Sequence, residues 1–236
     1  MPRKALLIVL VAVLAVTGLA LSGCGNRAVT VKEPAAAPIE RSSASQASPS
    51  QSQTITMNGR SVMQGWMSHW GYEGEKPVSR NGYLLDYKEL NGGSIPSSFA
   101  DNVGGLAPGS VAFFKFCFVD FNGSNLAQRK SELQQVLDTA HQKGLKLVVG
   151  NALPVRKQDG SPEIVAEEKQ FNNFLASKAA GDPAVWVYDF NGVLAGPDGY
   201  LKPEYQTEDS HPNDAAYAAL DQSFFPLLSG VFAGTH

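Results

Sequence analysis

The period of the apolar positions switches repeatedly along the chain from residue 54 onward. The run Thr54-Ile55-Thr56-Met57 is β-branched and apolar and stops at Asn58-Gly59, the signature of a short strand entering a turn. Residues 61–70 then read as a helix, and 83–87 as a second short strand with Gly92-Gly93 in the loop beyond it. Residues 111–119 are almost wholly apolar, the pattern of a central strand buried on both faces. Leu126, Leu133, Val136, Leu137 and Ala140 recur at helical spacing over 126–143, and Gly144 is the natural C-cap. A fourth strand over 145–149 is closed by Gly150 and Pro154. A helix over 164–180, apolar at Phe171, Phe174 and Leu175, ends at Gly181. A fifth strand follows over 185–190, and a last helix over 214–228. Five strands separated by helices predict a parallel sheet in a three-layer α/β/α sandwich. Ligands of such sheets bind at the carboxyl ends of the strands. Ser61, Asp120, Asn122 and the loop before the last helix all fall at that edge.

The first 53 residues follow another pattern. Residues 1–23 carry Arg3 and Lys4 and no acid, then an unbroken run of apolar and small residues, as in an export signal. The run ends in Leu21-Ser22-Gly23-Cys24, which resembles the lipobox of bacterial lipoproteins. That resemblance implies cleavage before Cys24 and acylation of its sulfur and amino group with palmitate-like chains. A plain transmembrane anchor would need a longer apolar stretch. Each buried methylene contributes about 0.8 kcal/mol, so several acyl chains hold a protein firmly on a membrane. Gly25, rather than Asp, follows the cysteine, which allows outer-membrane as well as cell-membrane placement. Residues 24–53 are rich in Ser, Ala, Pro and Gln, a tether with an end-to-end distance on the order of 30 Å. The folded domain is expected over 54–236.

Beyond residue 23 the chain has 17 basic and 22 acidic side chains, a net of −5 without basic clusters, so no nucleic-acid footprint is present. With Cys24 lipidated, Cys117 has no partner and is expected to be a small buried hydrophobe rather than a nucleophile. The four histidines do not fall at zinc-ligand spacing and no phosphate-binding glycine loop is visible, so no cofactor and no metal are implied. The expected state is a monomer.

Chemistry concentrates in two stretches. Ser61, between a strand and a helix, has an exposed hydroxyl beside free backbone N–H groups and the positive end of a helix dipole. Helix capping is the simpler use of a serine there. His211 lies in Glu208-Asp209-Ser210-His211-Pro212-Asn213, just before the last helix. A neutral imidazole can take a serine proton, and a carboxylate from Glu208 or Asp209 can orient the ring. Donors for an oxyanion are available from the Ser61 N–H, from Gly92 or Gly93, and from the Asn122 amide. Turn formation alone would also account for these glycines and for Asn122.

Gly59-Arg60-Ser61-Val62-Met63-Gln64-Gly65 resembles the first block of SGNH (GDSL-type) hydrolases, a Gly-Asp-Ser with Gly four positions on. Asp209-Ser210-His211-Pro212-Asn213, with Tyr217 beyond, resembles their last block. The stretch 114–121, Phe-Lys-Phe-Cys-Phe-Val-Asp-Phe, is similar to the central strand of a divergent SGNH-like branch. The resemblance spans residues 54–228. It implies a flavodoxin-like fold and an esterase acting on an ester-bearing small molecule, glycan or lipid of the cell envelope. Ser61 would be nucleophile, His211 base, and Gly92 or Gly93 with Asn122 the oxyanion donors. Arg60 stands where the family has Asp, the third block keeps Asn122 but not its Gly, and the acid three positions before His211 is Glu208. The alternative is the same fold binding an envelope component without turnover. Trp66, His69, Trp70 and Tyr72 either pack the first helix onto the sheet or form an aromatic rim for sugar rings.

Overall fold

The computed structural model describes residues 53–236; the signal segment, Cys24 and the tether lie outside the described residues. The chain runs β1 (Gln53–Gly59), α1 (Ser61–His69), β2 (Val78–Arg80), β3 (Tyr83–Glu89), α2 (Ile95–Asn102), β4 (Val111–Phe114) and α3 (Leu126–Gln142). It continues through β5 (Lys146–Gly150), α4 (Pro162–Ala179), β6 (Val185–Tyr188), α5 (Phe190–Leu194) and α6 (Asp214–Ala233). The sheet order is β2-β3-β1-β4-β5-β6. The last five of these are mutually parallel and are the five expected strands, in the flavodoxin-like order. β2 is an addition, pairing antiparallel with β3 at the edge. Its three residues carry no alternation to read. The signal is the turn after it, where Asn81 and Gly82 both have positive φ (49° and 84°), an Asn-Gly hairpin.

The pleat explains the three layers. Ile55, Met57, Val111, Phe113 and Val148 point into one hydrophobic cluster with Val62, Met63 and Trp66 of α1 and Leu220, Phe224 and Leu228 of α6. Their neighbours Ala112, Phe114, Leu147 and Val149 point the other way, onto Phe99 of α2, Leu133 and Leu137 of α3, and Phe171 of α4. Adjacent strand residues alternate faces, so a strand apolar at every position needs helices on both sides.

Two glycines of the first block have steric causes. A Cβ on Gly59 would stand 2.5 Å from Cβ of Met63, and one on Gly65 would stand 2.3 Å from the Tyr217 hydroxyl. Gly65 therefore lets α1 lie close against α6, and with it the serine against the loop that precedes α6.

The central strand is shorter than its apolar run. β4 stops at Phe114, level with Asn58 of β1 and Val149 of β5, one residue before those strands end. Asp120 then accepts the Cys117 N–H at 2.6 Å and closes a 3₁₀ turn over Phe118–Asp120, leaving Val119 56% exposed. Helix α2 was hidden by Gly92-Gly93 and Pro96, yet Pro96 sits in its first turn, where a missing N–H costs nothing. Trp66 and Trp70 are core residues, and both indole N–H groups donate to Asp221. They form no aromatic rim. Among the described residues no helix is long and apolar enough to cross a membrane.

Candidate active site

Ser61 is the first residue of α1, exposed at the carboxyl end of β1. The cap position belongs to Arg60, which is extended (φ −113°, ψ −153°) and makes no side-chain capping bond. The serine hydroxyl is thus free of a capping role. It lies 2.8 Å from Nε2 of His211, whose Nδ1 lies 2.8 and 2.9 Å from the two oxygens of Asp209. The carboxylate requires a hydrogen on Nδ1, which leaves Nε2 as the acceptor for the serine proton. Of the two acids in reach by sequence, the structure brings Asp209 to the ring. Glu208 is exposed and makes no hydrogen bond among the described residues. Asp209 also accepts the His211 N–H at 2.8 Å and the Thr207 hydroxyl at 3.0 Å. The hydrogen bonds from the His211 backbone and ring lower its pKa to about 2, so it is a carboxylate throughout the working range.

The loop carrying Asp209 and His211 is held by a side-chain clamp that the sequence did not reveal. Ser210, between them, is buried; its hydroxyl donates to Asp159 at 2.6 Å and accepts the Arg156 N–H at 3.1 Å. Arg156 forms a two-point ion pair with Asp159 (2.7 and 2.9 Å) and donates to the Thr207 carbonyl. Phe118 meets the imidazole edge to face at 5.2 Å between centroids. Asn213 caps α6 through the Ala216 N–H. Arg156 and Asp159 lie in an aperiodic loop between β5 and α4, and only their i,i+3 charge complementarity could have singled them out.

The expected oxyanion residues divide. The Ser61 and Gly92 N–H groups have no hydrogen-bond partner among the described residues. Gly93 differs: its N–H donates to the Asn91 side chain. Asn122 belongs to a different structure. Its side-chain oxygen accepts from the N–H and hydroxyl of Ser124, and its own N–H donates to Glu167 on α4. The Asn122 side-chain amide nitrogen is exposed and has no hydrogen-bond partner among the described residues. Asp120 is buried as an acceptor. One oxygen takes Arg60 Nη1 at 2.7 Å and the other the Cys117 N–H. Cys117 is a buried free thiol, with Sγ 3.9 Å from Ser61 Oγ. Arg60 also lines a polar recess of about 490 Å³ with Glu89, Asn91, Gly92, Asp101 and Asn102. No group of three metal-ligating side chains occurs among the described residues.

No family model matches the sequence, and no curated protein matches it by sequence. Solved structures do match by fold. A GDSL-like lipase from Bacteroides thetaiotaomicron superposes with a TM-score of 0.56 at 12% identity, over 75% of this chain and 88% of that one. A member of the lipolytic protein G-D-S-L family from Veillonella parvula superposes with a TM-score of 0.53 at 14% identity, over 75% and 98%. The OSK domain of Drosophila Oskar shares the fold as well, with a TM-score of 0.55 at 14% identity, over 73% and 86%. The chain has the fold of the GDSL-type hydrolases.

Proposed function

We propose that this protein is a serine ester hydrolase of the SGNH type, exported and held at the cell envelope by lipid on Cys24. The carrying observation is the continuous chain Asp209–His211–Ser61, with 2.8 Å at each link. In this reading Ser61 Oγ attacks the ester carbonyl while its proton passes to His211 Nε2. The carbonyl π pair moves onto oxygen, beside the Ser61 and Gly92 N–H groups. As the C–O bond breaks, the same proton goes to the leaving alkoxide. Water, deprotonated by His211, then releases the acid from the serine. Asp209 keeps the ring in the tautomer that accepts at Nε2 and stabilises the imidazolium.

The test is fluorophosphonate labelling of the full-length protein, with the modified residue located by mass spectrometry. Labelling at Ser61 that vanishes in His211→Ala is the expected result. A folded protein whose Ser61 stays unlabelled would replace the hydrolase with a binding protein of the same fold. Radiolabelled palmitate incorporated in cells and lost in Cys24→Ala is the expected sign of the anchor.

A further inference from the structure

The Asn122 side chain is held through its oxygen by Ser124, and the Ser61 and Gly92 N–H groups are backbone donors without a partner among the described residues. A further side chain at this edge is Arg60. β1 lies between β3 and β4 in the sheet, so Ser61 is flanked by the loop after β3 and the loop after β4. The Arg60 guanidinium touches both. Nη1 donates to Asp120 of the second loop at 2.7 Å. The group lies flat on Gly92 of the first, where a Cβ would stand 2.8 Å from Cζ and 3.0 Å from each terminal nitrogen. Only a glycine leaves room for it.

The sides also match. His211 precedes α6, which packs on the same sheet face as α1, whereas Gly92 precedes α2 on the opposite face. His211 and Gly92, on which the guanidinium rests, thus lie on loops leading to helices on opposite faces of the sheet. Asp120 is anchored in turn by the Cys117 N–H, so the arginine is held at one point and orientated. Its Nε and Nη2 donors have no acceptor among the described residues, and its side chain keeps 31% of its surface open. A rigid cationic fork with unused donors, fixed against Gly92, suits a charge that appears only during reaction.

We propose that Arg60 is a catalytic residue that donates to the oxyanion. The inference rests on the ester-hydrolase reading. When Ser61 Oγ bonds to the carbonyl carbon, the π pair moves to oxygen and the proton to His211 Nε2. The guanidinium then hydrogen-bonds the new oxyanion without changing its own protonation. Because this contact exists only in the transition state, its loss lowers kcat and kcat/KM together.

The experiment compares full-length wild type, Arg60→Gln, Arg60→Lys and Gly92→Ala. It measures the second-order rate of fluorophosphonate modification of Ser61 and the kinetics on p-nitrophenyl acetate, with circular dichroism as the check on folding. Arg60→Gln should slow both reactions about 100-fold with KM nearly unchanged, and Arg60→Lys should recover part of the loss. Gly92→Ala keeps its N–H and every charge but displaces the guanidinium, so it should slow both reactions as well. If Arg60→Gln does not fold, Arg60→Lys decides: it keeps the charge but loses the fork, and wild-type rates in it would overturn the proposal. Unchanged rates in folded Arg60→Gln, or a loss in KM alone, would overturn the proposal. A wild-type protein that is never labelled would overturn the hydrolase reading and this inference together.

Discussion

Ser61 and His211 meet at 2.8 Å from dissimilar supports. The serine stands on main chain and core: a buried central strand, a helix packed through Gly65, and an apolar cluster beneath. The histidine stands on a loop whose shape comes from side-chain hydrogen bonds among Thr207, Asp159, Ser210 and Arg156. Strand and helix geometry is generic and many apolar residues maintain it, whereas the loop depends on a few polar pairs. The nucleophile should therefore tolerate substitution around it better than the base does.

Removing the base itself should have the largest effect. His211→Ala is expected to cut ester turnover roughly 100- to 10,000-fold. The melting temperature should scarcely move, because the ring is partly exposed and its removal opens no core cavity. Breaking the clamp comes next. Asp159→Ala should free the Ser210 hydroxyl and Arg156, and misplacing the imidazole by about 1 Å costs on the order of 100-fold. The loss should appear in kcat, with far-ultraviolet circular dichroism unchanged. An active Asp159→Ala would mean that the loop holds its shape without the clamp, and the contrast between the supports would fail.

The serine's support is tested through the fold. Gly65→Ala forces a Cβ against Tyr217 and should destabilise the domain by about 1–3 kcal/mol, read as a Tm lower by several degrees. Its activity below the new Tm should stay close to wild type.

The smallest effect concerns pH. Glu168 on α4 is buried with both carboxylate oxygens unpaired among the described residues, and desolvation raises its pKa to about 8. Between the unfolded value of 4.5 and about 8, the folded chain binds the extra proton. Stability from this group is thus complete below that window and falls as pH rises through it, by at most about 1.4 kcal/mol per unit. Glu168→Gln should flatten the dependence of Tm on pH between 5 and 8. Asp209, with its pKa lowered to about 2, should contribute no pH dependence in that range.

The sequence by itself determined the parallel strands, the main helices, the strand-end position of Ser61 and the neighbourhood of His211. These follow from local periodicity and turn chemistry, which residues within one turn or one strand decide. Val78–Arg80 was too short to show a period, and the Asn81-Gly82 turn beside it was the readable sign. The apolar run 111–119 marked burial but not where the ladder ends, because beyond Phe114 the chain leaves the sheet for the turn that Asp120 closes on Cys117. Only the tertiary structure decided between Asp209 and Glu208, which differ by one position on a loop and by the direction the chain happens to face. It alone tied the Asn122 backbone N–H to Glu167 of α4 and set Arg60 against Gly92 and Asp120. Those choices join residues some 30 to 60 positions apart, where no sequence period operates and only close packing selects the partner.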